Sequence, residues 1–201
     1  MMNGLALLIA YLLGAIPFGY LLVRWRTGRD VRASGSGNIG ATNVLRTTGR
    51  ALGIVTLLLD IAKGFVAVWI AARLTDGAPV WTAAAALAVM AGHAYPVFLR
   101  FRGGKAVASL VGAFLYLTPA ALGATLFVFV ALVACTRYIS LGSIVGAAIL
   151  PFAAWLISHA PAPVIAAAAI AGAFIIWRHK ENIVRLRAGS ENTLSLGRKP
   201  A

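Results

Sequence analysis

Apolar runs close to twenty residues long recur along this chain, at about 4–23, 52–73, 80–98, 107–134, 140–157 and 162–177. A helix needs roughly 20 such residues to cross the hydrocarbon core of a bilayer. Inside lipid, only a helix or a closed barrel satisfies its own backbone polar groups. Of the 201 residues, 61% are hydrophobic, and the mean hydropathy is +0.88. The pattern predicts an all-α integral membrane protein, one polytopic domain over 1–201, with no soluble module or long linker.

Charge orients the runs. Six of the eighteen cations lie at 24–50, three at 100–105, and six near the C-terminus (Arg178, Lys180, Arg185, Arg187, Arg198 and Lys199). Cation clusters beside apolar runs mark the cytoplasmic side of a membrane and can hold anionic headgroups. The net charge of +13 therefore implies a membrane rather than nucleic acid. Cations follow the first run instead of preceding it, the reverse of a secretory signal, so the N-terminus is expected outside (periplasmic). At 28 residues, 107–134 is long for one span and carries Thr118-Pro119 near its middle. A chain reversal there makes seven transmembrane helices and puts all three large cation clusters and the C-terminus on the cytoplasmic face. That face would gather loops 24–51, 99–106, 135–142 and 178–201. No internal repeat relates the two halves, which argues against a transporter. The lone cysteine, Cys135, rules out an intrachain disulfide.

Polar residues concentrate in ASGSGNIGATNVLRTTGR, 33–50. Glycines permit turns in which successive backbone amides converge on an anion, and the closing Arg46 and Arg50 suit a phosphate. Gly35, Gly37 and Gly40 formally match the dinucleotide fingerprint, but a membrane helix precedes them where that motif requires a strand. A second cluster spans 92–105. It lacks Walker A spacing, since Leu99 stands at the first glycine position, yet Gly103 and Gly104 before Lys105 form a tight turn carrying a point charge fit for phosphate. Arg100 and Arg102 read as topology-setting charges, and His93 as a buried, satisfied imidazole. In the C-terminal cluster, His179 and Asn182 are three residues apart and share a helix face. Histidine can take a proton near neutral pH or grip phosphate, and asparagine can stabilise a developing oxyanion. Asp60 and Lys63, also three apart, lie within an apolar run, where charge is costly unless paired or facing a polar cavity. Both a structural ion pair and a direct role remain open for them. Ser140 and Ser143 open a later span, where they serve either capping and packing or the site.

Several chemistries are missing their residues. The only carboxylates are Asp30, Asp60, Asp76, Glu181 and Glu191, and no two form a plausible metal-binding pair, so no metal is expected. No histidine is followed by aspartate five positions later, and GxSxG is absent.

Taken together, SGSGNIGATNVLRTTG (34–49), LLLDIAKG (57–64), GHAYPVFLRFRGGKAVA (92–108), RYISLGS (137–143) and RHKENIVRLRAGSE (178–191) resemble the bacterial acyl-phosphate:glycerol-3-phosphate acyltransferase family (PlsY type). The resemblance covers nearly the whole chain, in order and spacing. It implies a seven-span enzyme of the bacterial inner membrane, facing the cytoplasm, that needs no cofactor. The enzyme moves a fatty acyl group from acyl phosphate to the sn-1 hydroxyl of glycerol 3-phosphate, releasing lysophosphatidic acid and phosphate. The donor comes from a soluble partner acyltransferase. By motif, Ser36, Asn38, Thr42, Asn43 and the glycines Gly35, Gly37 and Gly40 would hold the donor phosphate. Arg46, Lys105 and His179 would bind the charged groups of the substrates, with the Gly103–Gly104 turn presenting Lys105 and Asn182 placing glycerol phosphate. Ser36, His179 and Asn182 are the expected catalytic residues, Ser143 is a further candidate for binding, and Glu191 is expected to brace a nearby arginine. The alternative from a different class is an organic-phosphate transporter.

Overall fold

Proline divides the first apolar run. In the computed structural model, which describes residues 2–194, α1 (Met2–Ala15) ends before Pro17 and α2 (Phe18–Thr27) begins after it. Proline lacks the amide that would continue the ladder. Arg198 and Lys199 of the C-terminal cation cluster lie outside the described residues. The described chain contains no strand. Its remaining helices are α3 (Ala41–Thr48), α4 (Arg50–Leu74), α5 (Pro79–Ala94), α6 (Val107–Leu117), α7 (Pro119–Thr136), α8 (Ile139–Leu156), α9 (Ala162–Arg178) and α10 (Lys180–Arg187).

Among the described residues, five segments are long and apolar enough to cross a membrane: Met2–Thr27, Pro79–Leu99, and the helices α4, α7 and α8. The α9–α10 pair joins them only if its 58° bend is counted within one span. The run at 107–134 is two helices. Thr118 leaves helical geometry at φ −147°, and Pro119 opens α7. At 11 residues α6 extends only about 16 Å, roughly half a hydrocarbon core.

Small residues hold the bundle together. Its interior is rich in fully buried alanine (Ala6, Ala10, Ala67, Ala71, Ala85 and Ala168), with Phe114, Leu122 and Leu150 filling the larger gaps. Large apolar side chains such as Phe127, Phe152 and Trp155 face outward. That inversion of a soluble core is expected where lipid is the solvent and close backbone packing, not hydrophobic exclusion, joins helices. At Gly92 of α5 the backbone of α1 approaches so closely that a Cβ would overlap the Tyr11 carbonyl. At Gly112 of α6 the Ile61 carbonyl of α4 occupies the same place.

The polar segments meet at one end of the bundle. Arg178 reaches the Gly103 and Gly104 carbonyls, Ser140 reaches Glu191, and a cleft joins Gly37 to Gly103. Elsewhere, the Ala121 amide donates to Ser158 at 3.1 Å, pinning the start of α7 to the turn after α8.

Candidate active site

The glycine-rich segment is a loop tied to its own following helix. Gly35 and Gly37 adopt left-handed φ values of 62° and 68°, and the Gly37 amide closes a turn on the Ser34 carbonyl. Ser36 stands exposed between them. Asn43, on the first turn of α3, organises the loop. Its Oδ1 accepts from the Ser36 amide at 2.9 Å, while Nδ2 donates towards the carbonyls of Val31, Ser34 and Asn38 at 2.8–3.2 Å. The side chain is 2% exposed. Its amide hydrogens are committed to the loop, so Asn43 shapes the cradle and leaves no donor for a substrate. Asn38 folds its Oδ1 onto the Gly40 amide at 2.8 Å. Thr42 is half-buried and Arg46 exposed on the same short helix. At the loop's entry, Arg32 clamps Asp30 at 2.7 Å and lies over the Tyr20 ring. Its hydrogen bond holds the Asp30 carboxyl below the usual range.

The second wall is the turn after α5. The Gly103 and Gly104 amides donate to the Ala94 and His93 carbonyls, both at 3.1 Å. Those carbonyls lie in the last turn of a helix, which leaves such groups without intrahelical partners. From the other side Arg178 Nη2 donates to Gly104 O at 2.8 Å and to Gly103 O at 3.3 Å. Its guanidinium is sandwiched near Tyr95 and Trp177. Lys105 follows, and its Nζ donates to Asn182 Oδ1. Burial, reinforced by Arg185, pushes the Lys105 ammonium down to about 8 against the opposing pull of Glu191 and Glu181.

The third wall is the α9–α10 bend. His179 is 4% exposed and its Nδ1 lies 2.8 Å from the Ile175 carbonyl. A carbonyl only accepts, so Nδ1 carries the proton and, in the neutral ring, Nε2 carries a free lone pair. Asn182 Nδ2 donates to Glu191 Oε1 at 2.7 Å, Ser140 Oγ donates to the same oxygen at 3.1 Å, and Arg185 Nε pairs with Oε2 at 2.8 Å. Burial raises the Glu191 carboxyl, but these three hydrogen bonds prevail and hold it below its ordinary value. Glu191 thus braces Arg185 as expected, and it also orients Asn182.

Two clefts flank this group. A polar one of about 600 Å³ is lined by Arg32, Ala33, Gly37, Phe101, Arg102, Gly103 and Arg178. A narrow apolar one runs between α6, α7, α8 and α9, with Val107, Leu110, Leu122, Phe129, Ser143 and Ile175 on its walls. Ser143 therefore belongs to the apolar cleft, and its hydroxyl is spent on the Ile139 carbonyl at 2.9 Å. Ser140, for which the sequence leaves capping and the site both open, serves the site through Glu191, and Arg178 is the positioning residue that sequence reasoning missed. Arg178 acts across 74 and 75 residues, and no local pattern marks such a contact. Asp60 and Lys63 do form an ion pair, at 2.8 Å with both side chains 3% exposed. Among the described residues, no three His, Cys, Asp or Glu side chains gather as a metal would require.

Fold and site together describe a helical membrane bundle whose polar end is built from two glycine turns and a bent helix. The family model described as glycerol-3-phosphate acyltransferase matches residues 4–189. Relatives carrying that name include a Geobacter sulfurreducens protein, 48% identical over 193 residues, 96% of this chain and 98% of its own length. A Myxococcus xanthus protein of the same name is 45% identical over 94% of this chain and 98% of its own. Two crystal structures of PlsY (YgiH), an integral membrane glycerol 3-phosphate acyltransferase, superpose on the fold. The glycerol 3-phosphate form gives a TM-score of 0.91 at 36% identity, covering 97% of this chain and 96% of that one. The lysophosphatidic acid form gives 0.88 at 34% identity over the same shares. The chain belongs to the glycerol-3-phosphate acyltransferase family, and it is an integral, multi-pass membrane protein.

Proposed function

We propose that this protein transfers a fatty acyl group from acyl phosphate to the sn-1 hydroxyl of glycerol 3-phosphate, yielding lysophosphatidic acid and phosphate. The observation that carries the reading is the position of Lys105 and His179 between two unlike clefts. Gly103 and Arg178 line the polar cleft, while Val107 and Ile175, two and four residues from Lys105 and His179, line the apolar one. One reactant is an amphiphile and the other a water-soluble phosphate ester, so a site between such clefts can meet both. The related PlsY crystal structures are of a glycerol 3-phosphate form and a lysophosphatidic acid form.

Acyl phosphate is a mixed anhydride. The sn-1 oxygen forms a bond to the acyl carbon, the bond from that carbon to the bridging oxygen breaks, and phosphate departs with the electron pair. The hydroxyl proton passes to a substrate phosphate oxygen or to His179 Nε2. The leaving group is already good, so the protein's task is to hold two anions together and stabilise developing charge. The Ser36 hydroxyl, Asn38 and Thr42 cradle the donor phosphate, on a loop whose Ser36, Gly37 and Gly40 amides are spent on its own shape. Lys105, His179, Arg46 and Asn182 take glycerol phosphate. No metal, cofactor or acyl-enzyme enters this scheme.

Position in the cell follows the same reading. Seven crossings, with α6 and α7 meeting at Thr118-Pro119, leave the N-terminus periplasmic and the polar end at the cytoplasmic face of the inner membrane. A soluble acyltransferase would make the acyl phosphate there. The deciding experiment incubates purified protein in detergent with palmitoyl phosphate and labelled glycerol 3-phosphate, with palmitoyl-CoA as the control donor. Labelled lysophosphatidate should form with the phosphate donor only; turnover confined to the CoA ester would refute the donor assignment. Trapping a hydroxylamine-sensitive acyl group on Ser36 would refute direct transfer.

A further inference from the structure

The reaction above leaves unused a buried charged cluster within the bundle. Asp60, Lys63 and His93 are 2%, 5% and 4% exposed, and charge within a membrane helix is retained only where it has a task or a partner. Lys63 is accounted for. Its Nζ pairs with Asp60 Oδ1 at 2.8 Å and donates at 2.9 Å to the Ile16 carbonyl, at the break that Pro17 creates. His93 is different. Its Nδ1 edge meets Ser109 Oγ at 3.2 Å and Asp60 Oδ1 at 3.6 Å, whereas its Nε2 edge points towards the glycine turn. A Cβ added at Gly104 would fall on His93 Nε2, and one at Gly103 on the His93 carbonyl.

We infer that His93, oriented by Asp60 and Ser109 through Nδ1, is a positioning residue that sets the Gly103–Gly104 turn and so aims Lys105. The turn is gripped from both sides. His93 and Ala94 accept its two amide hydrogens, the imidazole edge lies against Gly104, and Arg178 takes the two carbonyls. Lys105 comes next in the chain, so a shift of this peptide moves its ammonium relative to Asn182. The inference rests on the assignment of Lys105 to glycerol phosphate. It adds that the geometry of that contact is set from within the bundle, by a residue that touches neither substrate.

Two isosteres separate positioning from simple helix tethering. Asparagine reproduces the Nδ1 corner of histidine and glutamine the Nε2 corner. His93→Gln keeps the edge against Gly104 and should leave the KM for glycerol 3-phosphate within about twofold of wild type. His93→Asn should raise it about tenfold, with kcat and the KM for palmitoyl phosphate little changed. Tethering through Nδ1 alone predicts the opposite order, and that order would overturn the inference. Gly104→Ala, whose methyl strikes the imidazole, should raise the same KM, and adding His93→Asn should restore part of the loss; a double variant no better than Gly104→Ala would also overturn it. Monodisperse elution in detergent confirms that each variant is folded; the Gly104→Ala comparison, which uses only His93→Asn, stands if His93→Gln is not, and if His93→Asn is not, an about tenfold rise in KM for His93→Gln overturns the inference. Wild-type protein without acyl-phosphate-dependent turnover, or a Lys105→Ala variant of normal KM, would instead sink the parent reading.

Discussion

An ammonium that must hold a phosphate at neutral pH, yet sits partly out of water, balances two demands. Desolvation strengthens its attraction for an anion and lowers the pH at which it loses its charge. Lys105 is at this balance, pushed down to about 8. The protonated form is the one that binds, so kcat/KM for glycerol 3-phosphate should be level below pH 8 and fall about tenfold per unit above it. Lys105→Arg, whose guanidinium does not titrate in this range, should remove that alkaline limb; a limb that persists would assign it elsewhere. Lys105→Ala should chiefly weaken glycerol phosphate binding. Ser36→Ala should cost about 10²–10³ in turnover if its hydroxyl stabilises the departing phosphate. Asn43 calls for a different outcome. Its removal leaves the Ser36 amide and the Asn38 carbonyl without a partner and takes one of two donors from the Val31 and Ser34 carbonyls, and a polar group orphaned out of water costs about 1–3 kcal/mol. Asn43→Ala should therefore raise the KM for acyl phosphate and open residues 31–40 to limited proteolysis, whereas Ser36→Ala should leave proteolysis unchanged. The sequence marks both residues as phosphate ligands because composition cannot separate a group facing the ligand from one facing the loop. Side-chain direction, set here by α3 folding back under the turn, makes that distinction.

At the scale of the helix, hydropathy and proline carried most of the architecture, because lipid tolerates so few alternatives. The break at Thr118-Pro119 was legible as a charge-balance argument, and the separation of α6 from α7 agrees with it. The break at Pro17 was not, since a proline near the end of an apolar run reads equally as a kink or an interruption. Pairing of helices was also illegible in sequence. Glycines are scattered through most spans, and only the assembled bundle shows that Gly112 takes the Ile61 carbonyl and Gly92 the Tyr11 carbonyl. Backbone fills the space of the missing side chain at both positions, so neither neighbour can move aside by a rotamer change. Gly112→Ala should force α4 and α6 apart at a cost of about 1–3 kcal/mol, lowering the thermal midpoint in detergent. Gly123→Ala, on α7 with no atom within 4 Å of the added Cβ, should leave that midpoint unchanged or slightly higher. Equal effects at the two sites would show that helix propensity, not packing, governs these glycines.

For the whole molecule, the remaining variable is which way the bundle faces, and the proposed cytoplasmic facing of the polar end rests on the charges. Arg24, Arg26, Arg29, Arg32, Arg46 and Arg50 flank one side of α2 and α4, and Arg100, Arg102, Lys105, Arg178, Lys180, Arg185 and Arg187 join them through the contacts that build the site. The opposite turns carry Asp76 and His159, with Arg73 folded over Trp69 at 5.5 Å, as a snorkelling side chain near a helix end does. Reversing the protein would carry more than ten cations across the membrane, against the bias that sets topology during insertion. Orientation also decides chemistry, because a donor made by a soluble enzyme can reach the polar cleft only from the compartment that makes it. In a Cys135→Ser background, single cysteines at two exposed positions, Arg187→Cys and His159→Cys, give opposite predictions. An impermeant maleimide should label the first in inverted inner-membrane vesicles only, and the second in right-side-out vesicles only. Labelling of both from one side would mean an even number of crossings between the α8–α9 turn and α10, and would remove α9 from the list of spans.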